Sequence, residues 1–201
     1  MKLIHDCTPC LLHLLLLAEL FVHTSSHPAH RSPLCGLFRS MIHQVQRLTD
    51  LSKELHDLTD DELINFEAVE NRLDGLPDVQ HTAAHFNSWK MNESLSQLFV
   101  DTHSFRLHVD WLKTAKENVS FFSQPAEDTS SHLLQLSNLM NASLHQISEE
   151  VPQSPSPSLP VVSTAFDVLQ FSIEISERLQ VFCSWSKRIL KHLQRSICPR
   201  P

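Results

Sequence analysis

The chain has 201 residues, enough for one domain with a real hydrophobic core. Its formal net charge is −7, so nucleic acid is not the default partner. It contains only 2 Gly and no Tyr, which argues against Gly-rich phosphate loops and multi-turn β folds and favours an all-α chain.

The N-terminus is typical of a secretory signal peptide. Lys2 gives a positive start, an apolar run over 11–22 follows, and the small residues Thr24 and Ser26 suit the positions before a cleavage site. The run is shorter than the ~20 residues that a membrane span needs. We predict a signal peptide over 1–26 and a secreted mature chain over 27–201 that does not insert into membranes.

Three N-x-[ST] sequons fit an extracellular chain, since this triplet is the acceptor for N-linked glycans. One or two would be ordinary by chance, but three behind a leader predict that at least one is glycosylated. Their asparagines are Asn92, Asn118 and Asn141.

Three cysteines remain after the predicted cleavage, namely Cys35, Cys183 and Cys198. An odd number in a secreted protein indicates one bridged pair and one thiol left over.

Apolar residues recur at steps of three and four in four long segments, which predicts four amphipathic helices. Ser32 is a plausible N-cap of the first, and Pro33 suits its first helical position. The region 59–91 is predicted to be a long connection with short helical turns near 63–71 and 80–89. The four helices are predicted over 33–58, 93–117, 128–149 and 163–197.

The connections between these helices indicate how they are ordered. Asp128 is the predicted N-cap of the third helix. The connection between the second and third helices is short. The third connection, over 150–163, is Pro-rich and extended at ~3.1 Å per residue, long enough to run the length of the bundle. Long, short and long connections permit the up-up-down-down order of a four-helix bundle with two crossovers. In that order the start of the first helix and the end of the fourth lie at the same end of the bundle, so Cys35 and Cys198 could approach to bonding distance and are the predicted disulfide. Cys183 is predicted to stay buried or half-buried.

The fourth helix is the longest and carries opposite charges at its two ends, as the helix dipole favours. Its N-terminal half is predicted to expose Asp167, Glu174 and Glu177, and Thr164 with Asp167 resembles a capping box. Its C-terminal half places four residues on one exposed face, namely Ser184, Arg188, Lys191 and Arg195.

This C-terminal face has two interpretations. A solvated helix end is the more ordinary one. A docking surface for an acidic partner is the functional one, because Arg binds carboxylates with two donors. Phe166, in the first turn of the same helix, is either a staple for the Pro-rich linker or an exposed aromatic anchor of the kind that dominates protein interfaces.

Enzymatic signals are weak. His81 and His85 have the spacing of two zinc ligands on a helix, but Thr82 stands where a metalloprotease needs Glu. No segment combines an acid, a base and a nucleophile. We predict neither an enzyme nor a cofactor or metal.

Two motifs carry a resemblance to a known family. The segment 104–115 (SFRLHVDWLKTA) and the segment 71–77 (NRLDGLP) resemble a helix motif and a loop motif of the interleukin-6 family of long-chain four-helix cytokines. The fourth helix is similar to theirs without a gap, from Phe166 through Trp185 to Arg188. The likeness covers nearly the whole mature chain and is weakest in the first and third helices.

The resemblance implies a secreted monomer that assembles receptors. A specific alpha receptor would bind the end of the fourth helix, around Arg188, and the end of the first connection. The shared receptor glycoprotein 130 would bind once at the first and third helices and once at the tip around Phe166, with JAK/STAT signalling as the result.

Three departures from the family set this chain apart. Phe166 stands where the family has Trp, and Ser184 stands where it has Asp. The mature chain also contains Cys35, Cys183 and Cys198, whereas the mature family members that carry these motifs lack Cys. These departures predict a distant member, from a vertebrate other than a mammal.

The alternative function is a secreted lipid-binding protein built from amphipathic helices. Such a carrier would need one broad apolar face in place of a single packed core.

Overall fold

The computed structural model of the chain describes residues 33–64, 73–79, 90–154 and 156–198. Within these ranges the regular structure is entirely helical, which confirms the predicted fold class. The helices are α1 (Pro33–Ser52), α2 (Asp60–Leu63), α3 (Met91–Asn118), α4 (Gln124–Gln146) and α5 (Ala165–Ile197). The short helical turns predicted near 63–71 and 80–89 lie almost wholly outside the described residues.

The first helix begins at Pro33 as predicted but ends at Ser52, earlier than the expected residue 58. The chain then continues in tighter turns, in which Leu55 donates its N–H to the carbonyl of Ser52. Two side chains from distant helices donate to carbonyls of this segment: the Ser176 hydroxyl adds a second donor to that of Ser52, and the Lys116 ammonium donates to that of Leu55. Leu55 is still fully buried, so the apolar stripe continues beyond the helix.

The third of the four long helices, α4, begins at Gln124 and not after the predicted cap Asp128. Pro125 lies in its first turn, where the missing N–H costs nothing because the first N–H groups of a helix have no internal partner. The sequence interpretation had placed this proline in the connection. Asp128 is an exposed residue inside the helix and accepts a hydrogen bond from Gln124.

The last helix, α5, starts with the predicted capping interaction. The Thr164 hydroxyl oxygen accepts the backbone N–H of Asp167 at 3.1 Å and donates to its carboxylate at 2.7 Å. This satisfies a donor that the first turn would leave without a partner. The N-cap role predicted for Thr164 is therefore confirmed, but the Asp167 carboxylate accepts the Thr164 hydroxyl and not its backbone N–H, so the contact is not the full reciprocal capping box.

Contacts between the helices establish an up-up-down-down order. The start of α1 meets the end of α5 at Cys35 and Cys198, and the end of α3 meets the residues just after α1. Asn92, at the start of α3, bonds Glu149 just after α4, so these two helices are antiparallel. The chain then returns along α3 before α5 begins. The topology predicted from the connection lengths is confirmed.

The core lies between the four long helices and unites their apolar stripes. At its centre the rings of Phe105 on α3 and Phe182 on α5 have centroids 5.0 Å apart. Nearer the C-terminal end of α3, the ring of Trp111 packs edge-on against that of Phe171, with centroids 5.3 Å apart. The indole N–H of Trp111 also donates to the carbonyl of Pro160, which fixes the Pro-rich linker along α3.

The loop 73–79 is clamped between α3 and α5. Leu73 and Leu76 are buried, and the carboxylate of Glu174 accepts the backbone N–H of Leu73. Arg178 pairs with Glu174 and donates to the carbonyl of Leu76 at 2.8 Å. The prediction that Glu174 belongs to the outer face of its helix is therefore wrong, because this loop covers it.

Gly75 provides the turn in this loop. Its φ of +75° lies in the left-handed region that favours glycine, and an added Cβ would come within 3.1 Å of the Pro157 side chain. The turn thus needs glycine for its backbone conformation and for the close approach of the linker.

A disulfide joins Cys35 and Cys198, whose Cα atoms are 5.8 Å apart. The bond ties the start of α1 to the residue after α5. Cys183 is a buried free thiol, and its burial raises its pKa to about 12. It therefore stays protonated at neutral pH.

Candidate functional site

The C-terminal half of α5 presents the basic face that its spacing predicts. Four residues spaced four, three and four apart are exposed, and the opposite side of the helix is buried in the core. Within the described part of the chain, none of the three cationic residues on this face takes part in an ion pair. The exposed face consists of Ser184, Arg188, Lys191 and Arg195.

Two further features define this basic face. The disulfide at Cys198 anchors the end of the helix, so the charges stand on a fixed support. Val181, one turn before Ser184, is 53% exposed and adds an apolar side chain at the N-terminal edge of the basic face. The sequence interpretation missed Val181, although its position seven residues before Arg188 places it on the same side.

Phe166 lies at the opposite end of α5, in its first turn, and is 57% exposed. At 1.5 Å per residue it stands about 33 Å from Arg188 along the helix. Two other aromatic side chains, Phe121 and Phe122, are exposed in the connection that follows α3, at the same end of the bundle. The sequence interpretation missed both, although two phenylalanines directly after a helix end were a visible signal.

A third surface lies where α1 and α4 pack side by side. A ring nitrogen of His132 on α4 lies 2.7 Å from the side-chain oxygen of Gln44 on α1. The pKa of His132 is lowered, first by burial and then by the positive charge of Arg47 and by His43, while Asp128 opposes the shift. His132 is therefore held neutral at extracellular pH, and the charge on this surface comes from its exposed neighbours.

A model of the family described as Interleukin 11 matches residues 28–197. The chain belongs to the interleukin-11 family. It is therefore a cytokine of the interleukin-6 type, and its family consists of secreted signalling proteins and not enzymes. No curated protein matches the chain.

The two motifs that resemble the interleukin-6 family meet in the structure of this interleukin-11 family member. A ring nitrogen of His108, from the helix motif, lies 3.2 Å from the carbonyl oxygen of Asp74, from the loop motif. The other ring nitrogen lies 2.8 Å from the carbonyl oxygen of Ser104 on the same helix. His108 is fully buried, so these motif residues position the loop and do not form a docking surface.

The sequon asparagines and the histidine pair are the other candidate sites in this family member. Among the three sequon asparagines, Asn118 is exposed, while Asn92 and Asn141 are half-buried. His81 and His85 lie outside the described residues, and the residues that are described contain no cluster of three or more metal-ligating side chains. None of the described helices is both long and apolar enough to span a membrane.

Proposed function

We propose that this chain is a secreted cytokine that binds a specific alpha receptor of the interleukin-11 type and recruits glycoprotein 130, which activates JAK/STAT signalling. The main support for this proposal is that α5 exposes a basic face at one end and an aromatic side chain about 33 Å away at the other. A rigid bundle that separates two such surfaces can hold two receptor chains at a fixed distance.

The basic face is the alpha-receptor surface in this proposal. Arg188 is at its centre and Ser184 and Lys191 flank it, with Arg195 at the end. A guanidinium offers two parallel donors to a carboxylate, so the matching receptor surface would be acidic. Ser184 contributes a small neutral contact, and Val181 supplies an apolar one.

The tip around Phe166 is the first signalling-receptor surface. A large exposed aromatic ring buries much apolar area at a small cost in side-chain entropy, which is why such residues dominate interface energies. The Thr164 cap fixes the backbone of the first turn and so limits the orientations of the ring.

The surface between α1 and α4 is the second signalling-receptor surface. It offers Arg47 and His43 from α1, which lie close enough to His132 of α4 to influence its charge. Each surface is of moderate size, and simultaneous engagement of several receptor chains would supply the remaining strength through multivalency.

Secretion through a signal peptide over 1–26 is part of the proposal. The match to the interleukin-11 family begins at residue 28, two residues beyond the end of the predicted leader. The disulfide between Cys35 and Cys198 fits an oxidising compartment.

No observation favours the alternative of a lipid carrier. The apolar stripes of α1, α3, α4 and α5 are used together in one shared core.

Stepwise assembly tests the proposal. The alpha-receptor ectodomain is immobilised, the mature chain is added, and the glycoprotein 130 ectodomain follows, with surface plasmon resonance as the readout. We expect glycoprotein 130 to bind durably only when the chain and the alpha receptor are both present. Absence of binding to the alpha receptor would reject the proposal.

A further inference from the structure

The three sequons differ in how the folded chain presents them. A glycan needs its asparagine in a surface loop or at an exposed helix end, because the sugar is bulky and hydrated. Asn118 is the last residue of α3, and both it and Ser120 are exposed. Directly after it the chain leaves the helix, with Ser120 in the left-handed region at φ 61°.

Asn92 is placed less favourably. It lies in the first turn of α3, and its amide nitrogen donates to the carboxylate of Glu149 at 2.8 Å. The serine of its sequon, Ser94, is buried. A sugar on this nitrogen would compete with the contact that joins the start of α3 to the segment after α4.

Asn141 is also placed less favourably, since it lies inside α4. Its side-chain oxygen is buried and has no hydrogen-bond partner among the described residues. The sequon serine, Ser143, is buried as well and donates to the carbonyl of Leu139. Asn118 is thus the sequon whose folded environment accepts a glycan without loss of helix contacts.

A groove of about 260 Å³ opens beside Asn118, between the end of α3 and the Pro-rich linker. Val119 and Pro160 line it, and Trp111 forms part of its wall. Val161, also in the lining, is 94% exposed. Because Trp111 holds the linker at Pro160, the exposed valine that follows leaves apolar surface uncovered at the side of an acceptor asparagine.

We propose that Asn118 carries an N-linked glycan and that its innermost N-acetylglucosamine lies in this groove against Val161. This inference rests on secretion, which is part of the proposed function. The sugar enters from an oligosaccharide diphosphate lipid. The Asn118 amide nitrogen forms a bond to C1 of the sugar and loses a proton, while the bond from C1 to the diphosphate oxygen breaks and the lipid diphosphate leaves.

The position of Asn118 and the chemistry of the sugar both support N-acetylglucosamine as the group that fills the groove. The asparagine stands on the rim of the groove, so the first sugar cannot lie far from it. One face of a pyranose ring is lined with C–H groups, and these can cover a valine side chain while the hydroxyl groups stay in water. The glycan would therefore cover apolar surface at the end of α3 and add solubility there.

Site mapping tests the first half of the inference. The full chain with its own leader is expressed in a eukaryotic secretory host, and glycopeptides from medium and cell lysate are compared before and after treatment with an N-glycosidase. We expect a glycan on Asn118, its loss in Asn118→Gln and Ser120→Ala, and its retention in Ser120→Thr. The matched variants Asn92→Gln and Asn141→Gln are expected to lose the same mass on N-glycosidase treatment as the wild-type protein, because neither removes a glycan.

The outcomes separate this inference from the proposed function. An unmodified Asn118 in secreted protein, or a glycan on Asn92 or Asn141 in its place, overturns the assignment. Retention of the chain inside the cell contradicts secretion, while the lysate still reports whether Asn118 is occupied.

Trimming tests the second half. One sample keeps a single N-acetylglucosamine on Asn118, and the other is the sugar-free Asn118→Gln variant. We expect an apolar dye to bind more strongly to the sugar-free protein, and we expect Val161→Ser to remove that difference. Equal dye binding with and without the first sugar would show that the groove is not its resting place.

Discussion

Lys116 and Leu55 are joined by a buried hydrogen bond in which the ammonium nitrogen of α3 donates to the backbone carbonyl just beyond α1, at 2.8 Å. The same ammonium lies 2.8 Å from the carboxylate of Asp57, and only 1% of Lys116 is exposed. The lysine thus provides the hydrogen-bond donor that the carbonyl loses when the first helix ends. It also joins the two helices that run in the same direction.

Replacement of Lys116 by methionine tests this role. The change keeps an unbranched side chain, one atom shorter, but leaves a buried carbonyl without its donor, so we expect the unfolding free energy to fall by about 2 kcal/mol. The comparison variant is Asp57→Asn, which removes the counter-charge of the ammonium but keeps an oxygen acceptor and the carbonyl contact, so we expect a smaller loss of about 1 kcal/mol. Urea unfolding measures both. Equal losses would mean that the ion pair, and not the carbonyl contact, stabilises this end.

The fold was largely predictable because the apolar residues of the four long helices follow the helical period. The early end of α1 was not predictable, since it depends on side chains of α3 and α5 that are remote in sequence. Glu174 was misplaced for the same reason: only the folded loop 73–79 covers it. The basic face of α5 followed from spacing alone, whereas the exposure of Val161 depends on how the linker lies.

A buried carboxylate should make stability depend on pH. Asp101 lies on α3 beneath the Pro-rich linker, and burial raises its pKa from 3.8 to about 6, although a hydrogen bond from Gln97 opposes the shift. Because the folded pKa is the higher one, the stabilising contribution of the protonated acid is complete below pH 3.8 and is lost as the pH rises through 6. At pH 7.5 the buried charge costs up to about 3 kcal/mol.

Asp101→Asn removes that charge and retains an acceptor for Gln97. We expect the variant to be more stable than the wild type at pH 7.5 and the advantage to shrink towards zero near pH 4. Thermal unfolding across this range measures it, with the exposed Asp50→Asn as the control. An advantage that is the same at both pH values would show that Asp101 does not titrate as its burial requires.

The disulfide and the buried thiol predict a specific labelling pattern. In denaturant without reductant, one cysteine of the mature protein should react with an alkylating agent, and three should react after reduction. In the native state Cys183 should react slowly, because burial raises its pKa to about 12 and leaves little thiolate.

Intact-mass analysis of the labelled protein reads each step, and labelling of three cysteines before reduction would contradict the bridge. Cys35→Ser should lower the unfolding free energy by about 4 kcal/mol, since the bond closes a long loop.

Charge reversal on the basic face tests the alpha-receptor surface. Arg188→Glu should reduce alpha-receptor affinity by roughly 30-fold or more, because it places a like charge against an acidic partner. Helix content should not change, since Arg188 is exposed. Lys53→Glu is the matched control, as it makes the same reversal at an exposed position beyond the end of α1. Calorimetric titration reads both affinities, and equal affinities of the two variants would place the receptor elsewhere.

The tip predicts a separation of binding from signalling. Phe166→Ala should keep alpha-receptor affinity and lose recruitment of glycoprotein 130, because the ring is exposed about 33 Å from the basic face. Phe122→Ala is the matched control, because its ring is 65% exposed at the same end of the bundle but belongs to the connection after α3. STAT phosphorylation in responsive cells should therefore fall with the first variant and persist with the second.

Phe166→Trp should signal at least as well as the wild type, since it enlarges the ring and adds an N–H donor. Full activity of Phe166→Ala would exclude the tip as a signalling-receptor surface, and equal losses in both alanine variants would mean that the surface extends across the end of α3.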